Sequence, residues 1–281
     1  MTDRYAVIGN PIAHSRSPFI HARFAAQTGQ DLVYDRLLAP LDGFEAAVQE
    51  FVRSGGRGLN VTVPFKEQAF ALAGRRSARV EAAGAANTLS FDSNGWAAEN
   101  TDGVGLVRDL TVRHGVALAG RRVVLLGAGG AASGVVLPLL DAGVRDVLIV
   151  NRTAARAVAL ASRLAGAAGP NASVVGRGLE GLDAESADGS LLINATSAGL
   201  SDARLPIADA VFSAAAFAYD MVYGARPTAF LVQAATLGCP RQADGLGMLV
   251  EQAAESFRLW RGVAPQTDPV YRQLRDEIGR A

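Results

Sequence analysis

The sequence predicts an α/β protein of two domains, a small parallel α/β domain followed by a Rossmann-type domain. Three observations carry this expectation. Short β-branched apolar runs alternate with stretches of helical period along the chain, which is the pattern of βαβ units around parallel sheets. A buried-strand run, Arg121-Arg-Val-Val-Leu-Leu126, passes at once into Gly127-Ala-Gly-Gly-Ala-Ala-Ser-Gly134, and a further apolar run, Val147-Leu-Ile-Val-Asn151, follows. Finally, 281 residues with 31 glycines are long for one core and rich in tight turns.

The first domain opens on Tyr5-Ala-Val-Ile-Gly9, a buried strand. After the loop Asn10 to Ser17, Pro18 is expected to open a helix to about Gln27, with Ser17 as N-cap and Gly29 as the stop. Ser15 and Ser17, two hydroxyls before a helix start, also form a candidate carboxylate site. Leu32 to Leu38 reads as a strand, and Leu41 to Arg53 as an amphipathic helix ended by Gly55-Gly56. Asn60-Val-Thr-Val-Pro-Phe-Lys66 then reads as a strand running into a helix, with Pro64 at the first helical position. Lys66 falls in the first helical turn, where the macrodipole disfavours a cation by a few tenths to about 1 kcal/mol. That placement marks it as a candidate for chemistry. Ser77 to Gly84 is a short capped helix, and Asn94-Gly95 is the turn of a hairpin between Asn87–Phe91 and Trp96–Glu99. The hairpin delivers Asn100-Thr-Asp-Gly103.

Gly103 to His114 is expected to be a linking helix. In the next unit, Gly127, Gly129 and Ala132 match G-x-G-x-x-A between a strand and a helix, the arrangement that seats a dinucleotide pyrophosphate on a helix N-terminus. The following strand ends Asn151-Arg-Thr153, with Arg156 one turn on and without the acid that would accept from a ribose 2′-hydroxyl. Arginine there suits a 2′-phosphate, so the expected cofactor is NADP. Further strands are read at Ser190–Ala195 and Ala216–Val222, ending in Thr196 to Leu200 and Tyr223 to Pro227. The Gly/Ala-rich stretch Leu164 to Asp188 carries little pattern. A long helix from Gly245 to about Arg261 places Gly245, Met248 and Gln252 on one face, beside the apolar stripe Leu246, Leu249, Val250, Ala253 and Phe257.

Lys plus Arg equals Asp plus Glu at 27 each, so no global field favours nucleic acid or an anionic membrane. No apolar stretch reaches the length of a membrane span. A single cysteine, Cys239, and a start without a signal-peptide pattern point to the cytoplasm. The three histidines lack metal-site spacing, so no metal is expected.

Taken together, Ser15-Arg-Ser-Pro18, Asn60 to Lys66, Ala86-Asn-Thr88, Asn100-Thr-Asp-Gly103, the Gly127 loop, Asn151-Arg-Thr153, Tyr219-Asp-Met-Val-Tyr223 and Gly245-Leu-Gly-Met-Leu make the chain resemble the shikimate dehydrogenase family over nearly its whole length. The resemblance implies NADPH-dependent reduction of 3-dehydroshikimate to shikimate in aromatic amino-acid biosynthesis. It implies a substrate domain of residues 1–102 completed by helices of 245–281, and an NADP domain of 103–244. Carried over by position, Lys66 and Asp102 form the proton-transferring pair. Ser15, Ser17, Thr62 and Tyr223 hold the substrate carboxylate, whereas Asn60, Asn87, Asp102 and Gln252 meet the ring hydroxyls. The cofactor would lie against Gly127, Ala128, Gly129, Gly130, Ala131, Asn151, Arg152, Thr153, Arg156, Thr196, Met221 and Gly245. A small-molecule substrate and a monomer or homodimer are expected, with no nucleic-acid or membrane partner. One departure is Gly224-Ala-Arg-Pro227, where many relatives have an Asn-Pro or similar turn. Two alternatives remain at this stage: a quinate/shikimate dehydrogenase, and an NADP-binding module without catalysis.

Overall fold

The computed structural model describes residues 2–196 and 204–280. Two six-stranded sheets organise it. The first holds β1 (Asp3–Gly9), β2 (Leu32–Leu38), β3 (Gly56–Val61), β4 (Arg75–Arg76), β5 (Thr88–Asp92) and β6 (Gly95–Glu99), in the order β2-β1-β3-β5-β6-β4. β1 pairs in parallel with β2 and β3. The predicted hairpin, β5 and β6, extends this parallel half as an antiparallel pair next to β3. Its helices are α1 (Ser17–Thr28), α2 (Phe44–Arg53), α3 (Lys66–Leu72) and α4 (Ala78–Ala83). The apolar face of α2 buries Phe44, Val48 and Phe51 in a cluster with Ile8, Leu59, Val61 and Phe65. Each such side chain contributes about 1.5–3 kcal/mol by leaving water. Ser77 caps α4 as expected, accepting from the Val80 N–H at 3.3 Å.

Two local expectations differ. Ser17 does not cap α1; Arg16 holds the N-cap position, and it is the Ser15 hydroxyl that accepts from the Ser17 N–H at 3.3 Å. Pro64 does not open α3. The Val63–Pro64 peptide is cis and forms a turn closed by the Phe65 N–H on the Thr62 carbonyl, so the helix starts at Lys66.

The link to the second sheet is α5 (Asp102–Arg108), which continues through a wider π-helical turn, Asp109–Arg113. That turn buries Asp109, whose carboxylate accepts from the Tyr219 hydroxyl at 2.7 Å and from Arg113 Nε at 3.1 Å. The second sheet follows with β7 (Arg122–Leu126), α6 (Gly130–Asp141), β8 (Asp146–Asn151), α7 (Ala154–Ala165), β9 (Ser173–Gly178), α8 (Ala184–Ala187), β10 (Leu191–Asn194), α9 (Asp209–Ala214), β11 (Phe217–Asp220), α10 (Ala229–Thr236) and β12 (Gln242–Asp244). All pairings in it are parallel, in the order β12-β11-β10-β7-β8-β9. The winding reverses between β7 and β10, the crevice where doubly wound sheets bind ligands. The Gly/Ala-rich stretch hides α8 and the edge strand β9, whose alternating burial gives no continuous apolar run.

The chain then returns. α11 (Leu246–Arg261) and α12 (Asp268–Arg280) close a cluster with α1 in which Ile20, Phe24, Leu246, Val250, Phe257 and Leu274 are fully buried.

Candidate active site

Between the two sheets lies a cleft of about 1220 Å3. It receives the carboxyl ends of β3, β7, β8, β10 and β11 and the first turns of α1, α3, α5, α6 and α11.

Its centre is set by two short helices. The turn after β3 is pinned by the Thr62 N–H to the Ile8 carbonyl and the Asn10 N–H to the Val63 carbonyl, and Lys66 emerges from it as the first residue of α3. Asp102 begins α5, where a carboxylate complements the macrodipole. The two side chains meet at 2.5 Å, Lys66 Nζ donating to Asp102 Oδ2. Both are largely buried, at 15% and 9% side-chain exposure, so solvent screens the pair only weakly. The other oxygen, Asp102 Oδ1, accepts from Asn87 Nδ2 at 2.8 Å. Asn87 is itself fixed, because its Oδ1 accepts from the Thr101 N–H at 2.8 Å and the Thr88 hydroxyl at 2.9 Å.

Gln252 reaches this group from α11. Its Oε1 lies 3.4 Å from both Asn87 Nδ2 and the Thr101 hydroxyl, and its Nε2 donates to the Leu249 carbonyl at 2.8 Å. The approach depends on Gly105, since a Cβ there would sit 2.8 Å from Gln252 Cβ. Asn60 is more deeply engaged than its position on a strand end indicates. Its Oδ1 accepts from the Tyr34 hydroxyl at 2.7 Å, and its Nδ2 donates to the Ser256 and Thr88 hydroxyls at 2.9 and 3.1 Å. Behind Tyr34, the His21 ring stacks at 4.0 Å, and burial pushes its pKa down to about 3 while the nearby Asn60 amide opposes this.

Around the rim stand Ser15, Ser17, Thr62 and Tyr223. The two serine hydroxyls are 3.3 Å apart, and Arg36 of β2 holds their turn by donating to the Ser15 carbonyl from Nε at 3.0 Å and Nη2 at 2.6 Å. Burial raises the Tyr223 phenol above its ordinary pKa, so it stays a donor at neutral pH.

The other half of the cleft is lined by the glycine loop and the ends of β7 and β8. Gly127 turns at φ +111°, a conformation that an L side chain avoids, and α6 starts directly behind Gly129 with its first N–H groups open. A Cβ at Gly130 would come within 3.6 Å of Lys66 Cβ, so the glycine loop touches the residue that carries the cleft's cation. Arg152 and Arg156 stand exposed at the mouth beyond β8, and neither makes an ion pair among the described residues. The donor set fits a diphosphate with a further phosphate on its ribose. Ala128, Ala131, Asn151, Thr196, Met221 and Gly245 also line this half. Thr153 does not line the cleft; its carbonyl accepts from Asn151 Nδ2 at 3.0 Å, which shapes the turn carrying Arg152. Thr196 is held by the Asn194 side chain, and Asn194 by the buried Asp220 carboxylate. The turn Ser197 to Leu200 lies outside the described residues.

Sequence reasoning missed Tyr34, Thr88, Thr101 and Ser256, the side chains that orient Asn60 and Asn87. Only Ser256 left a signal, one turn after Gln252 on the same helical face.

Comparison with known proteins agrees with the geometry. Residues 7–89 match the model of the shikimate dehydrogenase substrate binding domain, 110–199 that of shikimate / quinate 5-dehydrogenase, and 245–275 that of the shikimate 5′-dehydrogenase C-terminal domain. The shikimate dehydrogenase (NADP(+)) of Janthinobacterium sp. (strain Marseille) is 56% identical over 277 residues, covering 99% of this chain and 98% of that protein. That of Herminiimonas arsenicoxydans is 56% identical over 278 residues, covering 99% of both. Among solved structures, an Ael1 enzyme from Pseudomonas putida superposes with a TM-score of 0.88 at 47% identity, over 97% of this chain and 98% of that one. The shikimate 5-dehydrogenase of Thermus thermophilus, solved in complex with NADP(H) and shikimate, superposes with a TM-score of 0.83 at 35% identity, over 98% and 99%. On sequence and fold alike, the chain belongs to the NADP-dependent shikimate dehydrogenase family.

Proposed function

We propose that the protein catalyses the reversible NADPH-dependent reduction of 3-dehydroshikimate to shikimate, the aromatic amino-acid biosynthetic step, with Lys66 and Asp102 as its proton-transferring pair. The observation that carries this reading is the 2.5 Å Lys66–Asp102 contact set against the glycine loop. A cation held between a substrate-sized recess and a nucleotide cradle is where a carbonyl oxygen gaining charge needs a proton.

The cofactor, when bound, would supply the hydride as NADPH during reduction and accept it as NADP+ during oxidation. Every other task falls to side chains. Lys66 donates the Nζ proton to the oxygen of the ring carbonyl during reduction and takes it back from the hydroxyl during oxidation. Asp102 anchors the ammonium through Oδ2, and Asn87 on Oδ1 keeps that carboxylate from swinging away. Ser15, Ser17, Thr62 and Tyr223 are assigned to the substrate carboxylate, and Asn87, Asp102 and Gln252 to its ring hydroxyls. Asn60 is assigned to the same ring face. Its amide, with both ends engaged by Tyr34, Thr88 and Ser256, also sets the depth of the recess. The diphosphate is assigned to the loop Gly127 to Ala131, and the 2′-phosphate to Arg152 and Arg156.

Residues 1–102 with 245–281 are assigned as the substrate-binding domain and 103–244 as the NADP-binding domain, a division supported by the packing of α11 and α12 on α1. We place the reaction in the cytoplasm, supported by the single buried thiol, Cys239; among the described residues no helix is long and apolar enough to cross a membrane.

The test is direct. Shikimate and NADP are mixed with the protein and the absorbance of the reduced nicotinamide is followed. Growth of that band supports the assignment; no signal with shikimate, at any ratio of the two, refutes it.

A further inference from the structure

Arg16 is a cation in the cleft that meets no anion among the described residues. It occupies the N-cap of α1, between Ser15 and Ser17, and lines the cleft with them and with Tyr223. Its guanidinium makes no hydrogen bond or ion pair among the described residues. Lys66 is compensated by Asp102 at 2.5 Å, whereas Arg36 meets no carboxylate among the described residues but is held away from the cleft lining by its hydrogen bonds to the Ser15 carbonyl. A positive side chain at a helix N-terminus also works against the macrodipole, so its place there is not explained by helix stability. The charge is felt at the phenol of Tyr223, whose rise through burial it opposes.

The three hydroxyls around Arg16 can donate hydrogen bonds to a carboxylate, but they bring no charge. A carboxylate entering a recess loses hydration that neutral donors only partly replace. We propose that Arg16 is a specificity-determining cation that draws the substrate carboxylate into the Ser15–Ser17–Tyr223 recess and favours it over uncharged analogues. This rests on the carboxylate assignment made above. A unit charge on the order of 7 Å away, through an effective dielectric of about 40, alters binding about five- to tenfold. The effect is one of attraction and selection, and hydride transfer itself is left to the Lys66 centre.

The experiment compares the wild type with Arg16→Gln and Arg16→Lys in full-length protein at saturating NADP. Initial rates with shikimate are measured from about 10 mM to 1 M salt, where the screening length falls from roughly 30 to 3 Å. The inhibition constant of shikimate methyl ester, which lacks the negative charge, is measured alongside. For Arg16→Gln, kcat/KM for shikimate should fall about five- to tenfold through KM, and the deficit should shrink as salt rises. Arg16→Lys should recover most of the loss, and the ester should bind wild type and Arg16→Gln equally. The inference is overturned by an unchanged kcat/KM in Arg16→Gln, by equal losses for shikimate and ester, or by a loss confined to the KM for NADP. A wild type inactive on shikimate would overturn the assigned reaction and this inference together. An active wild type beside an unaffected Arg16→Gln would overturn this inference alone.

Discussion

Replacing Lys66 by Met removes the ammonium while keeping most of the side-chain volume, and the structure sets both consequences. For catalysis, the ammonium at 2.5 Å from Asp102 Oδ2 is lost, and with it the proton assigned to the transfer. General acid–base groups contribute about 10²–10⁴-fold, so kcat should fall by that factor. For stability, breaking a fully buried ion pair costs about 3–5 kcal/mol. Here Asp102 keeps its 2.8 Å bond from Asn87 and faces a cleft open to water, so a loss nearer 1–2 kcal/mol is expected. The assay is kcat with shikimate and NADP, beside thermal unfolding and the NADP dissociation constant. Cofactor affinity should hold within about threefold, which separates lost chemistry from a damaged cleft. Asp102→Asn acts on the same step, so the double variant should lose less than the product of the single losses. A kcat within about tenfold of wild type in Lys66→Met would refute the proton-transfer assignment.

Ser15→Ala and Ser17→Ala should each raise KM for shikimate by roughly 10- to 150-fold, the effect of losing one hydrogen bond to a charged group. Because the Ser15 hydroxyl, not that of Ser17, accepts the Ser17 N–H, any loss of about 1 kcal/mol in helix stability should appear in Ser15→Ala; unchanged KM in both would remove the carboxylate site. NADP should be preferred over NAD by at least about 10²-fold in kcat/KM, and Arg152→Ala should weaken NADP alone; equal losses for both cofactors would show that Arg152 serves neither phosphate. Stability should fall on acidification in a way that His21→Phe reduces. Burial lowers the folded-state pKa of His21 to about 3 from an ordinary value near 6.5. The unfolded chain therefore takes up the proton first. The His21 contribution is complete above about pH 6.5 and is lost at about 1.4 kcal/mol per unit as pH falls toward 3. Denaturant unfolding of both proteins between about pH 7 and pH 4, most of the window between the unfolded and folded pKa values, checks this, and parallel curves would refute it.

Much of this protein is determined by local pattern. The apolar runs at Tyr5–Gly9, Val123–Leu126 and Val147–Asn151 form strands, the element that suits short runs rich in valine and isoleucine buried on both faces of a parallel sheet. The glycine loop after β7 and the arginines after β8 were legible from spacing alone as the residues we assign to the nucleotide, since backbone approach to phosphate favours those residue types. Lys66 was legible as a cation in the first turn of a helix, whereas Asp102 entered only through the resemblance to the family. What local pattern could not decide is who meets whom. Lys66 and Asp102 are 36 residues apart, and the contact exists because β3 and β6, one on each side of β5, end at the same edge of one sheet. Gln252 enters the recess only because α11 returns from the second sheet and crosses α5 at Gly105. Tyr34, Thr88 and Ser256 became visible as the partners of Asn60 only once three distant segments were brought to one amide. Ser17 and Pro64 were misplaced for a related reason: several nearby groups could close each turn, and the tertiary contacts of β1, β2 and β3 chose among them. Sequence period determines which faces are apolar, but the pairing of polar groups across the cleft is a property of the packed chain, where a buried donor takes whichever acceptor the fold sets beside it.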